Sequence, residues 1–171
     1  MVRVLIVMGV SGSGKSTLAK RIAQHLQCDA VVEADHFHPA NNREKMRAGI
    51  PLSDDDRWPW LAQLNEYIRS SNAALQVVAC SALKVSYRKR LMQGLEGEVH
   101  FLFLDAPQEV LARHHRDRVH EYMPASLLES QLNTLERPVL GEPVSVVSVT
   151  GSENESFLEI LEVLRRLGIS R

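Results

Sequence analysis

Two cysteines in 171 residues, Cys28 and Cys80, are too few for a disulfide scaffold, and they lack the spacing of a zinc finger. An intracellular setting is therefore expected, with Cys80 acting as a small buried hydrophobe. Charge of one sign is also missing: 20 Lys and Arg oppose 21 Asp and Glu, for a formal net charge of −1. Without a basic field, nucleic acid is not expected as the main partner. No apolar run is long enough to cross a bilayer, so no membrane span is expected and the cytoplasm is the default compartment. The chain opens on a strand that feeds straight into its first motif, which argues against a cleaved leader. Internal repeats, low-complexity tracts and interdomain linkers are absent too. What is there, 44% hydrophobic and 24% charged residues, suffices for one globular domain over 1–171.

The stretch that organises the rest is Gly9-Val10-Ser11-Gly12-Ser13-Gly14-Lys15-Ser16. A glycine, four residues and then Gly-Lys-Ser is the pattern of a phosphate-cradling loop. A triphosphate needs several backbone N–H groups aimed at one small volume, and Gly9, Gly12 and Gly14 let the chain curl that tightly. Lys15 is placed to reach the outer phosphates, and Ser16 offers a hydroxyl to Mg2+. Ser11, Ser13 and Thr17 complete the expected ATP-binding run. Context supports the motif. Val2 to Met8 reads as a buried strand, and Leu18, Ala19, Ile22, Ala23 and Leu26 recur at helical spacing after it.

Further strands are expected around Ala30-Val31-Val32, over Leu75 to Ala79, Val99 to Leu104 and Val144 to Val149. Helices are expected over Asn42 to Ala48, from a cap at Ser53 or Asp54 through Ile68, and over Tyr87 to Met92. Others should run from Pro107 to about Arg118, from Pro124 to Leu135 and from Phe157 to Leu167. In the helix capped at Ser53 or Asp54, Pro59 should fall in the first turn, and Trp60, Leu61, Leu64, Tyr67 and Ile68 should face the core. Alternating strands and helices predict an α/β, three-layer P-loop NTPase fold: a five-stranded parallel sheet with helices on both faces and a small lid. Ligands then bind beyond the carboxyl ends of the strands. Residues 36–60 read as a substrate-side insertion and about 113–124 as the lid.

Asp35 follows the second strand, where the γ-phosphate should point, and a carboxylate there can orient or deprotonate an acceptor hydroxyl. Glu33 sits two residues earlier and is a candidate for holding Mg2+ through water. His38, Arg43, Lys45, Lys84 and Arg88 form a second group of donors able to grip an anion or a polyol. Lys84 and Arg88 stand one helical turn apart, a spacing that suits an anion clamp. Asp54-Asp55-Asp56 reads as a helix N-terminus charged to suit its dipole, with Arg57 as an ion-pair partner. Trp58 and Trp60 are candidates for the pocket wall, Trp60 more for the core. A zinc reading of Glu33, Asp35, His36, His38, His114, His115 and His120 finds no recognised ligand spacing.

The run His38-Pro39-x-x-Asn42-x-Glu44-Lys45-Met46-x-x-Gly49-x-Pro51-Leu52-x-Asp54-Asp55-Asp56-Arg57-x-Pro59-Trp60-Leu61 closely resembles the gluconate kinase family. Cys80-Ser81-Ala82-Leu83-Lys84-x-x-Tyr87-Arg88 resembles its second signature, and the resemblance extends over nearly the whole chain. It implies transfer of the γ-phosphoryl of ATP to the 6-hydroxyl of D-gluconate, the fold of shikimate and nucleoside monophosphate kinases, and a homodimer. The lid departs from the family's pattern: Arg116-Asp117-Arg118-Val119-His120-Glu121-Tyr122-Met123-Pro124 stands where an Arg-Lys-Gly-His-Phe-Met-Pro-like run is expected. The arginine reaching the phosphates is therefore one of Arg113, Arg116 and Arg118, with Lys15 and Asp35 as its catalytic companions and His120 beside the substrate. The alternatives are a kinase for shikimate, another sugar acid or a nucleoside, and a nucleotide-binding regulatory switch.

Overall fold

A computed structural model describes residues 1–28, 31–117 and 125–169. The chain runs β1 (Val4–Met8), α1 (Lys15–Leu26), β2 (Val31–Glu33), a 3-10 turn (Ala34–Phe37), α2 (Ala40–Arg47) and α3 (Asp54–Ser70). It continues with β3 (Gln76–Ala79), α4 (Val85–Met92), β4 (Val99–Asp105), α5 (Gln108–Asp117), α6 (Ala125–Thr134), β5 (Val144–Ser148) and α7 (Glu153–Arg166). The five strands form one sheet in the order β2-β3-β1-β4-β5, and every described pairing is parallel.

β1 is central and fully buried, as its unbroken apolar run requires when helices cover both faces. Alternate residues point to opposite layers. Val4, Ile6 and Met8 join Trp60, Leu61, Leu64, Ile68, Tyr87 and Leu91 under α3 and α4. Leu5 and Val7 join Leu18, Ile22, Ile160 and Val163 under α1 and α7. The three-layer expectation and all five strands are found. Ala30, Arg118 and Pro124, included in the expected elements, and residues 118–124 of the expected lid lie outside the described residues.

Two local expectations change. Ser53 is the N-cap of α3, in a reciprocal capping box with Asp56, so Pro59 is the sixth helical residue rather than part of the first turn. The missing N–H leaves the Asp55 carbonyl without its helical donor, and Asp55 is exposed, where water can take that role. Tyr67 is 50% exposed instead of facing the core. Asn65 takes a buried place on that helix, its amide donating to the carbonyls of Leu91 (2.9 Å) and Gln93 (3.0 Å) and tying α3 to the end of α4.

The deepest charge belongs to Arg88, which is wholly buried. Its Nε and Nη2 donate to the Glu142 carboxylate at 2.7 and 2.9 Å. Nη1 donates to the carbonyls of Ala82 (3.1 Å), Leu83 (3.3 Å) and Glu136 (3.2 Å). One guanidinium thus joins the β3–α4 loop to the segment between α6 and β5, and hydrogen bonding holds the Glu142 carboxyl below its ordinary pKa. Removing one member of a buried pair leaves the other uncompensated. Glu142→Ala should therefore cost roughly 3–5 kcal/mol of stability in urea denaturation; a loss below about 1 kcal/mol would show that Arg88 does not depend on it.

Candidate active site

The phosphate loop lies between β1 and α1, at the carboxyl edge of the sheet. Gly14 caps α1 at φ 95°, so the N–H groups of the first helical turn open toward the loop. Gly9 (φ 151°) has no room for a side chain: a Cβ there would stand 2.7 Å from Ser13 Oγ and 3.1 Å from the Leu104 carbonyl oxygen. The loop is braced from several sides. Gly9 N donates to Ser81 O (3.3 Å) and Ser13 N to Val10 O (3.2 Å). From α5, His114 Nδ1 lies 2.6 Å from Gly12 O and His115 Nε2 lies 3.2 Å from Ser11 O, both as N–H donors because a carbonyl only accepts. Lys15 Nζ donates to Val10 O at 3.0 Å, and Ser11 N donates to Gln131 Oε1 on α6 at 2.7 Å.

A cavity of about 520 Å3 opens above the loop. Its walls include Ser11, Gly12, Gly14, Lys15, Ser16 and Thr17 on one side, and Glu33, Asp35, His38 and Arg57 on the other. Ser16 Oγ donates to Glu33 Oε2 at 2.9 Å. A hydroxyl and a carboxylate side by side are hard oxygen donors that suit Mg2+. Among the described residues no group of three or more His, Cys, Asp or Glu is placed to hold a metal ion. Ser13 is buried with its Oγ unpartnered, and it lines a second hollow of about 280 Å3 with Thr17, His114 and Gly151.

Asp35 comes from the 3-10 turn after β2 and its side chain is 82% exposed. His38, by contrast, is only 4% exposed. Its ring stacks on Trp60 with centroids 4.1 Å apart, and Nδ1 lies 3.2 Å from the Asn42 amide nitrogen. Burial pushes the His38 pKa down to about 4, Asp35 working against that shift and Arg57 and Arg43 adding to it. The ring is therefore neutral at physiological pH. Cys80 is buried as expected, its thiol pushed up to about 12 by burial.

The donor group expected to grip substrate is only partly assembled here. His38 faces the cavity. Arg43 turns onto its own backbone, donating to His38 O and His36 O, each at 3.0 Å. Lys45 pairs with Asp56 (2.8 Å) and Lys84 with Asp54 (3.0 Å). Arg88 is committed to Glu142 and three carbonyls, so the Lys84–Arg88 anion clamp is corrected: a cation with its donors occupied inside the fold has none left for a ligand. Trp58 packs edge-on to Tyr87 (5.5 Å), while Trp60 is both core and cavity wall, its Nε1 donating to Ala34 O at 2.7 Å. Arg113 and Arg116 are exposed on α5, and neither lines the cavity. Arg118 and His120 lie outside the described residues.

Sequence reasoning missed Arg57, Lys20 and Gln131 as cavity residues. The sequence pattern pairs Arg57 with the acidic triplet. Instead its Nη1 donates to Tyr87 Oη at 2.8 Å, Tyr87 Oη in turn donates to Asp54, and Lys84 supplies the ion pair. Its place in the Asp-Asp-Asp-Arg run was the available signal, since the first turn of a helix beside the insertion must point somewhere.

A braced glycine loop capping a helix, a lysine and a serine within it, and a carboxylate across one shared cavity define a P-loop phosphotransferase. The similarities are more specific. A family profile described as an AAA domain matches residues 4–138. A gluconokinase from Gluconobacter oxydans is 46% identical over 170 residues, covering 96% of this chain and 90% of that protein. One from Arabidopsis thaliana is 37% identical over 177 residues, covering 95% and 92%. The crystal structure of a gluconokinase from Sinorhizobium meliloti superposes with a TM-score of 0.86 at 44% identity, covering 96% of this chain and 93% of that one. The chain belongs to the gluconokinase family of P-loop kinases.

The buried neutral imidazole makes an acid-sensitivity prediction. In the unfolded chain His38 titrates near 6.5, and in the folded chain near 4. Between those values the unfolded state binds more protons, so stability falls as pH falls through that window. The melting temperature of the native protein should drop relative to His38→Gln between about pH 6.5 and 4, and track it above about pH 7. Profiles that run parallel throughout would take His38 out of the acid response.

Proposed function

We propose that the protein transfers the γ-phosphoryl group of ATP to the 6-hydroxyl of D-gluconate, giving 6-phospho-D-gluconate and ADP. The observation that carries this is the single cavity shared by the phosphate loop and by Asp35, His38 and Arg57. Phosphoryl transfer asks a protein mainly for positioning and charge neutralisation. The amides of the loop and Lys15 hold the phosphates. Asp35 orients the acceptor hydroxyl and takes its proton as the new O–P bond forms and the bond from the γ-phosphorus to the bridging oxygen breaks. Lys20 and an arginine of the 113–118 run add countercharge. Arg57 faces the acceptor end and suits the gluconate carboxylate, a role in which a guanidinium offers paired donors. Ser16, with Glu33 through water, would hold Mg2+, which supplies neutralisation of the outer phosphates when bound. We extend the proposal to a single domain, to the homodimer that the family resemblance implies, and to a cytoplasmic location; sedimentation checks the assembly.

An ADP-release assay with ATP, Mg2+ and a panel of gluconate, other aldonates, shikimate and nucleosides tests the reading, with gluconate expected to give the fastest turnover. Slow hydrolysis indifferent to every acceptor would favour a regulatory switch. Lys15→Ala should lower kcat by about 10²-fold or more. Asp35→Ala should lower kcat on the order of 10²-fold with the KM for ATP unchanged; unaltered turnover would remove it from the chemistry. Arg57→Ala should raise the KM for gluconate roughly tenfold or more, and an unaffected KM would place the carboxylate elsewhere.

A further inference from the structure

Asn42, on α2, touches no part of the cavity, yet it is wholly buried beneath His38. Its amide nitrogen donates to the Asp56 carbonyl at 2.8 Å and lies 3.2 Å from His38 Nδ1. A carbonyl only accepts, so Asp56 fixes which end of the Asn42 amide faces it. The second N–H of that amide then meets Nδ1, which must be the bare, accepting nitrogen of the ring. The imidazole proton is left on Nε2. Stacking on Trp60 fixes the plane of the ring, 19° from that of the indole.

Nε2 lies 3.8 Å from Asp35 Oδ1. That is too long for a direct hydrogen bond, but an oxygen about 2.8 Å from each would bridge them. We propose that Asn42 is a positioning residue: it holds His38 as an Nε2–H donor, so that His38 and Asp35 together read one hydroxyl of the acceptor, which accepts from the ring and donates to the carboxylate. Its substrate rests on the phosphotransfer reading above; the tautomer does not. The charged groups facing the ring are Asp35 from the 3-10 turn, Arg43 from α2 and Arg57 from α3, and the two arginines oppose a second ring proton.

Long-range 15N–1H correlation spectra of the ligand-free full chain near pH 7 read the ring directly. A protonated Nε2 with bare Nδ1 is expected; a protonated Nδ1, alone or as imidazolium, overturns the proposal. Kinetics separates donation from packing. His38→Gln can set an amide N–H near the Nε2 position and should keep the acceptor KM within a few-fold of native. His38→Asn sets its donor near Nδ1 and should raise that KM on the order of tenfold or more, with the KM for ATP unchanged. Equal values for the two overturn the proposal. Asn42→Leu removes the donor that Nδ1 accepts from, and should raise the acceptor KM in the same direction; a folded variant with native KM also overturns it. If that variant fails to fold against the Asp56 carbonyl, the spectrum and the Gln–Asn comparison still decide. A native enzyme that turns over no gluconate counts against the functional reading instead, and the ring spectrum stays interpretable.

Discussion

Backbone amides do not converge on one point unless the peptide planes carrying them are held from behind. In this loop the holding groups come from three directions. Ser81, after β3, accepts from Gly9; Val10 accepts from Ser13; and two adjacent histidines of α5 take the carbonyls of Ser11 and Gly12. A carbonyl drawn outward turns the following N–H the opposite way, because the peptide unit is planar. The brace at Ser11 O thus orients the Gly12 amide, and the nest can meet negative charge without reorganising.

The same economy explains the Arg88 hub. A buried guanidinium is tolerated only where its donors are met. Here they are met by Glu142 and by the carbonyls of the loop that carries Ser81 to Leu83. Ala82 within that loop adopts a left-handed conformation, φ 46°, unusual for a residue with a Cβ. Its carbonyl is one of the hub's acceptors, so the strained residue is fixed by the group that sequence spacing had assigned to substrate. Glu136, from the other side of the hub, accepts from Val85 N and serves the start of α4, where Lys84 gives no side-chain cap. The wall of the cavity next to β3 is held by charge pairing in the layer beneath.

On the acceptor side, the charged residues of the insertion divide between scaffold and cavity. Lys45 with Asp56, and Lys84 with Asp54 and Tyr87, knit α2, α3 and α4 together. Hydrogen bonds from Lys45 and Ser53 hold the Asp56 carboxyl down at about 2, and those from Tyr87 and Lys84 lower Asp54. Both carboxylates therefore stay charged through the range in which a kinase works. Arg57, His38 and Asp35 are the polar groups of this region that face the cavity.

Much of this was legible in the residues. The glycine spacing announced the loop because phosphate geometry allows few alternatives, and the alternation of apolar runs announced the parallel sheet because each layer must bury its own face. Asp35 and Glu33 were legible because a strand end beside that loop has one direction to point. The partners of long cationic side chains were not. Arg43, Lys84 and Arg88 share a composition and a helical spacing with anion-binding residues, but each reaches several ångströms and takes whatever acceptor the packing brings near. Glu142 is 54 positions from Arg88, and no local pattern joins them. The short-range code settled the fold and the phosphate loop and set Asp35 at the strand end beside it; tertiary packing alone settled which charges serve the structure and which remain for the ligand, because that choice depends on groups distant in the chain meeting in space.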